Sequence, residues 1–120
     1  MSKIGSSVET LQIWQRAHAW VLGVYKLTRH FPKEELFGLT SQVRRAAISV
    51  PANITEGYRK RGSADKLRFY NIAQASLDEA LYHLLLAQDL DYGDTKCLRQ
   101  DGDELARMLN GYMKTIISSS

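Results

Sequence analysis

Ile13, Ala17, Trp20, Val24, Leu27 and Phe31 follow one another at steps of four and three. That spacing puts all six on one side of an α-helix; a half-buried strand would need period two. The pattern recurs three times. Leu39, Val43, Ala46 and Ala47, Val50 and Ile54 form a second seam. Leu67, Tyr70, Ala73, Leu77, Leu81 and Leu84 form a third, and Leu98, Leu105, Leu109, Tyr112 and Ile116 a fourth. Such seams, joined by short loops, belong to an all-α, antiparallel up-down four-helix bundle.

The joints set the expected boundaries: one domain over 1–120, with helices near 7–30, 39–57, 63–90 and 95–117. Ser6-x-x-Glu9 reads as a capping box opening the first helix. Phe31-Pro32 ends it, because proline cannot extend the hydrogen-bond ladder. Gly57 reads as a left-handed stop for the second helix, and Ser63 as the cap of the third. Pro51 lies inside the second seam, so a kink is expected there rather than a break. Helices one and three carry extra apolar rows: Leu11, Trp14, His18, Val21 and Tyr25 on the first, Phe69, Ile72, Ala80 and Ala87 on the third. These arcs exceed what one bundle helix needs to bury, which points to subunit association.

The length of 120 residues and an apolar fraction of 44% suit one domain with its own core. Cys97 is the single cysteine, which excludes a disulfide scaffold. No Glu-x-x-His pair exists for a di-iron site, and His18 and His83 stand isolated. No phosphate-binding Gly-rich loop, zinc-protease motif or nucleophile elbow occurs. No catalytic residue, metal or cofactor is assigned. Asp101, Asp103 and Glu104 could in principle hold Mg²⁺, against a plainer capping and surface role. The longest apolar runs, no longer than Leu84–Ala87, fall far short of the roughly 18 residues of a membrane span, and the first ten residues lack an apolar signal core. A cytoplasmic location is expected.

Charge is unevenly spread. Residues 1–77 carry 12 Lys and Arg against 5 Asp and Glu; residues 78–120 carry 4 against 8. Arg44, Arg59, Lys60, Arg61, Lys66 and Arg68 are the candidate nucleic-acid contacts. Within Tyr58-Arg59-Lys60-Arg61-Gly62, cations attract phosphate and an aromatic can stack, ahead of a helix start with free N–H groups. A solubilising loop is the plainer alternative. A second candidate is the polar line Gln42, Arg45, Ser49, Asn53 and Glu56, at steps of three and four. Arg45 could reach Ser49, and Asn53 could reach Glu56. The line reads as a buried hydrogen-bond network fixing a helix or subunit contact, or else as a binding groove.

Phe31-Pro32-x-x-Glu35-x-x-Gly38-Leu39-x-x-Gln42-x-Arg44-Arg45-Ala46-x-x-Ser49-x-Pro51-x-Asn53-Ile54-x-Glu56-Gly57 resembles the signature of the 23S rRNA intervening-sequence protein family. Leu11-x-x-Trp14-x-x-Ala17 and Phe69-x-x-Ile72-Ala73-x-x-Ser76-Leu77-x-Glu79 extend the resemblance. Thr55 stands where alanine is usual, and Ala75 where glycine is usual; both bear on close helix packing. The resemblance implies a four-helix bundle assembling as a ring-like homopentamer with no known catalytic activity, and it suggests RNA contact. The accessory proteins of diversity-generating retroelements, basic pentamers that bind nucleic acid and a reverse transcriptase, look similar.

Three functional readings follow. The first is a non-enzymatic homo-oligomer, pentameric by the resemblance, that binds structured RNA or other nucleic acid through a basic surface. The second is a protein–protein scaffold, which an open groove along the polar line would favour. The third is an enzyme acting on a phosphorylated small molecule, which acidic side chains converging in a pocket would favour.

Overall fold

A computed structural model describes residues 8–119. Four helices form among them: α1 over Gln12–Thr28, α2 over Leu39–Arg59, α3 over Ser63–Asp89 and α4 over Lys96–Ser118. Single 3₁₀ turns at Val8–Thr10 and Lys33–Glu35 precede α1 and α2. Each helix packs on two others, α1 on α2 and α4, α3 on α2 and α4, and the α2–α3 contact is the most extensive.

Cross-helix pairs fix the helix directions. Trp14 of α1 meets Thr55 of α2, while Thr28 meets Arg44. Ser49 meets Ser76 across α2 and α3, with Gly57 against Tyr70 further along. Thr95 at the head of α4 bonds the Leu84 carbonyl, and Tyr70 packs edge-on to Tyr112. In every pair one residue number rises as the other falls, so neighbouring helices run in opposite senses.

Tyr70, Ala73, Leu77, Ala80, Leu84 and Ala87 are fully buried on α3. Their steps alternate three and four, and large residues alternate with alanine. Alanine leaves room for the facing helix, so Val43, Ala47, Val50 and Ile54 of α2 come in close, all fully buried. Leu105 and Leu109 of α4 and Ala17 and Val24 of α1 complete the core.

Several boundaries differ from the expected ones. Ser6 of the capping box lies outside the described residues. The first helix begins at Gln12, after an extended Leu11 (φ −71°, ψ 126°). The preceding turn seats Val8 fully buried, and that burial overrides local helix preference. Gly57 is an interior residue of α2 rather than its stop. It is needed because the Tyr70 ring lies against it: a Cβ there would sit 2.7 Å from the Tyr70 Cε1. The helix stops instead where Lys60 turns extended (φ −74°, ψ 148°). Gly62, also extended, caps α3, and Ser63 is its first helical residue, with no side-chain cap bond. The chain stays helical through Pro51.

The extra apolar rows are largely covered within one chain. Val21 joins the core, Leu11, Trp14 and Tyr25 pack against it, and Ala80 and Ala87 are fully buried. A helix wedged between two neighbours needs a wider stripe than one facing a single partner. Of these rows Ile72 stays exposed, and other exposed apolar side chains lie outside them: Leu22, Ile48, Tyr82 and Leu85 on helix surfaces, and Phe37, at 93% exposure, in the α1–α2 connection.

Candidate functional site

The α2–α3 turn builds a basic corner. The Lys66 ammonium caps the end of α2, donating to the carbonyls of Tyr58 (2.9 Å) and Gly57 (3.3 Å). This satisfies carbonyls that the helix end would otherwise leave open. The same ammonium lies over the Tyr58 ring. Lys60 and Arg68 both rest on the Phe69 ring, 5.1 and 4.4 Å from its centroid. Each also has an acid within reach, Glu56 at 3.8 Å from Lys60 and Asp65 at 3.9 Å from Arg68, but these pairs are solvent-exposed and weak. Arg59 and Arg61 are exposed. The corner therefore offers two open guanidiniums, two cations steadied on an aromatic face, and one cation engaged in structure.

Arg44 does not belong to this corner. Its Nε donates to the Thr28 hydroxyl (2.8 Å) and its guanidinium covers the Tyr25 ring, 4.6 Å from the centroid. It lies 15 residues before Arg59 on the same helix, roughly 22 Å away at about 1.5 Å per residue. Of the six cations singled out from the sequence, five are brought together and Arg44 ties α1 to α2 at the other end.

The polar line on α2 edges an open groove between α2 and α3. Gln42, Arg45, Ala46, Ser49, Ser76 and Glu79 enclose about 470 Å³. Ser49 and Ser76 share a hydrogen bond of 2.8 Å, and Asn53 Nδ2 donates to the Ser49 carbonyl (2.8 Å) and hydroxyl (2.9 Å). The expected Arg45–Ser49 and Asn53–Glu56 contacts do not form. Asn53 turns back one helical turn to Ser49, and Glu56 turns forward to Lys60. Gln42, Arg45 and Glu56 face solvent, so within one chain only the Ser49–Asn53–Ser76 centre is partly buried. Ser76, part of the Phe69–Glu79 motif, lies on another helix from the polar line, and only the three-dimensional register joins it to Ser49.

Thr55 supplies a contact that alanine could not. Its hydroxyl accepts from Trp14 Nε1 (3.1 Å) and donates to the Pro51 carbonyl (3.0 Å). Ala75 is exposed on α3.

The acids of α4 diverge. Glu104 pairs with Arg16 at 3.2 Å, Asp101 edges a pocket between α1 and α4, and Asp103 edges another beside Leu81, Tyr82 and Leu85. They share no pocket. No group of three His, Cys, Asp or Glu side chains arranged for a metal occurs among the described residues. No helix is long and apolar enough to cross a membrane among them.

At the end opposite the basic corner, Glu35 locks the α1–α2 connection. One carboxylate oxygen accepts the Leu39 N–H (3.0 Å), the other the Tyr92 hydroxyl (2.7 Å). These bonds, the backbone one foremost, hold its carboxyl below the usual carboxylate range. The same contact pushes the Tyr92 phenol up.

Fold and site together define a small helical-bundle protein with a basic corner at one end and a polar groove along one flank. The chain belongs to the 23S rRNA-intervening sequence protein family, whose sequence profile matches residues 9–111. In fold it is similar to the crystal structure of a protein of unknown function from the S23 ribosomal protein family of Bacteroides thetaiotaomicron, with a TM-score of 0.79 at 22% identity over 85% of this chain and 98% of that one. Comparison with curated proteins finds no match.

Proposed function

We propose that this chain is a non-enzymatic homo-oligomer, a ring of five by its family resemblance, that binds structured RNA through the α2–α3 corner. The observation that carries this reading is the open pair Arg59 and Arg61 beside Lys60 and Arg68 on one aromatic face. Backbone phosphates are attracted by such cations where they stand exposed and clustered. The family's name, which refers to 23S rRNA, supports the choice of RNA. A protein–protein scaffold is the second reading, favoured by the open groove at Arg45 and Glu79. The divergence of Asp101, Asp103 and Glu104 weighs against the phosphorylated-substrate enzyme.

A salt titration tests the proposal. Each phosphate neutralised contributes about −0.7 to −0.9 to the slope of log K against log salt. Replacing Arg59, Lys60 and Arg61 by alanine is expected to weaken RNA binding and flatten that slope by about two units per engaged corner. The melting temperature should barely move, because exposed charges contribute little. Equal slopes for both proteins would make the corner solvated surface. Absent binding by wild type at low salt would leave the scaffold.

A further inference from the structure

At the end of α2 away from the basic corner, Arg44 stands beside a compact pocket of about 130 Å³, where the α1–α2 connection meets the start of α2. Arg29, Lys33, Arg44 and Thr40 form polar walls of this pocket, and Phe31 and Leu36 apolar ones. No acid is among its wall residues. None of the three cations has an ion-pair partner among the described residues. Glu35, on the same turn, is engaged elsewhere: its two oxygens hold the Leu39 N–H and the Tyr92 hydroxyl. Glu34 is exposed and pairs with none of the three. Like charges gathered without an acid repel one another, and an anion between them relieves that repulsion.

Thr40 is the second residue of α2 and is only 3% exposed. A helical threonine commonly turns its hydroxyl back on the carbonyl four residues earlier, as Thr28 does on Val24 (2.8 Å) and Thr55 on Pro51 (3.0 Å). Thr40 makes no such bond, and its hydroxyl has no partner among the described residues. Burying a hydroxyl unbonded is costly, and this one belongs to the pocket wall. The N–H groups of Thr40 and Ser41 likewise bond no acceptor among the described residues, and they carry the positive end of the α2 dipole. Arg44 is already posed. Its Nε is tied to the Thr28 hydroxyl (2.8 Å) and its guanidinium covers the Tyr25 ring, while its two terminal nitrogens bond nothing among the described residues. A guanidinium fork held in this way loses little entropy when it grips an oxyanion.

We infer that this pocket binds a phosphate monoester group. Such a group carries about −1.5 to −2 charges at pH 7, which three unpaired cations match better than the single charge of a carboxylate. The donors come from three places, Arg29 at the end of α1, Lys33 on the connecting turn, and Thr40 and Arg44 on α2. Donors on several sides suit a tetrahedral group with several oxygens. Pockets for drug-sized molecules begin at about 300 Å³, so this smaller one takes the phosphoryl group and leaves its carrier outside. A phosphodiester is a poorer match, because it has one charge and its chain continues on both sides. Two sources share the monoester chemistry, a phosphorylated small molecule and the 5′-phosphate end of an RNA strand. The inference does not rest on the α2–α3 corner, whose cations lie at the other end of α2.

Inorganic phosphate is the probe, compared with chloride at equal ionic strength by calorimetry and by melting temperature. Wild type is expected to give a saturable heat and to melt higher in phosphate than in chloride, as a ligand of the folded state requires. Thr40→Val keeps the shape of the side chain and has no hydroxyl bond to lose, so in chloride it should melt no lower than wild type. Its phosphate affinity should fall about tenfold. Arg29→Gln combined with Lys33→Gln, both at exposed positions, should weaken phosphate by about tenfold or more. Arg59→Gln combined with Arg61→Gln, at the corner, should leave it unchanged. Competition then names the source. A 5′-phosphorylated RNA strand that displaces phosphate, where its 5′-hydroxyl twin does not, puts an RNA end in the pocket; displacement by glycerol phosphate alone puts a small molecule there. Displacement by the 5′-hydroxyl strand overturns the monoester assignment. No effect of phosphate beyond that of chloride overturns the inference, and so does wild-type affinity in Thr40→Val or in the Arg29 and Lys33 double variant. Phosphate binding by a wild type that binds no RNA removes the RNA reading and leaves this one standing.

Discussion

Gly57 and Lys66 show how single residues set the basic corner. Alanine is normally the better helix former by about 1 kcal/mol. At position 57 the sign reverses, because the new methyl would sit 2.7 Å from a ring that is fully buried and braced by Tyr112. Gly57→Ala is therefore expected to destabilise the chain by about 1–3 kcal/mol in urea unfolding, the usual cost of overpacking. Lys66 lies among RNA-binding candidates in sequence, yet its ammonium is already committed to two carbonyls. Lys66→Ala should cost about 0.5–1.5 kcal/mol of stability through the lost cap while leaving the salt slope of RNA binding unchanged. Unfolding curves and the titration separate the two effects. A flattened slope with unaltered stability would return Lys66 to the interface.

At the scale of elements, the connections rather than the helices carry the less obvious chemistry. Glu35 holds the start of α2 and the α3–α4 turn through two hydrogen bonds. Its folded pKa is depressed, so this stabilisation is fully present above the ordinary carboxylate value and is lost as pH falls through the folded one. Glu35→Gln is expected to melt below wild type at neutral pH, with the gap closing in acid; a gap constant with pH would mean the charge is irrelevant. The helices themselves were legible in sequence, because the three-four period of Val43, Ala47, Val50 and Ile54 or of Tyr70, Ala73 and Leu77 reports burial directly. The connections were less so. Thr95 is fully buried, bonding Leu84 and accepting from Arg99, yet a threonine before a helix reads only as a cap. The polar line was legible as a line, but not its exposure, since burial of Arg45 depends on what faces α2 from α3. Phe37 carried a signal of its own, an aromatic falling outside every apolar period.

At the scale of the whole molecule, the two ends differ in chemistry, cationic at the α2–α3 turn and held by the Glu35 carboxylate at the other. The described chain spans 46 × 33 × 21 Å, and its helices separate the Phe37 tip from the basic corner. In a ring, one rotation axis relates all copies, so every corner lies at the same height and radius. A long RNA can then meet several corners at once, each adding its own counterion release. Diluted until its assembly is lost, the chain, with its corner untouched, is expected to bind a long structured RNA about 10²-fold or more weakly than the assembled form. Its salt slope should also be smaller, approaching that of one corner. On an RNA too short to reach a second corner, the assembled and dissociated forms should give the same slope, because only one corner engages in either case. Parallel titrations on the long and short RNAs make the comparison. Equal slopes on the long RNA would mean that assembly turns the corners away from a common ligand, and the basic residues would then act one chain at a time.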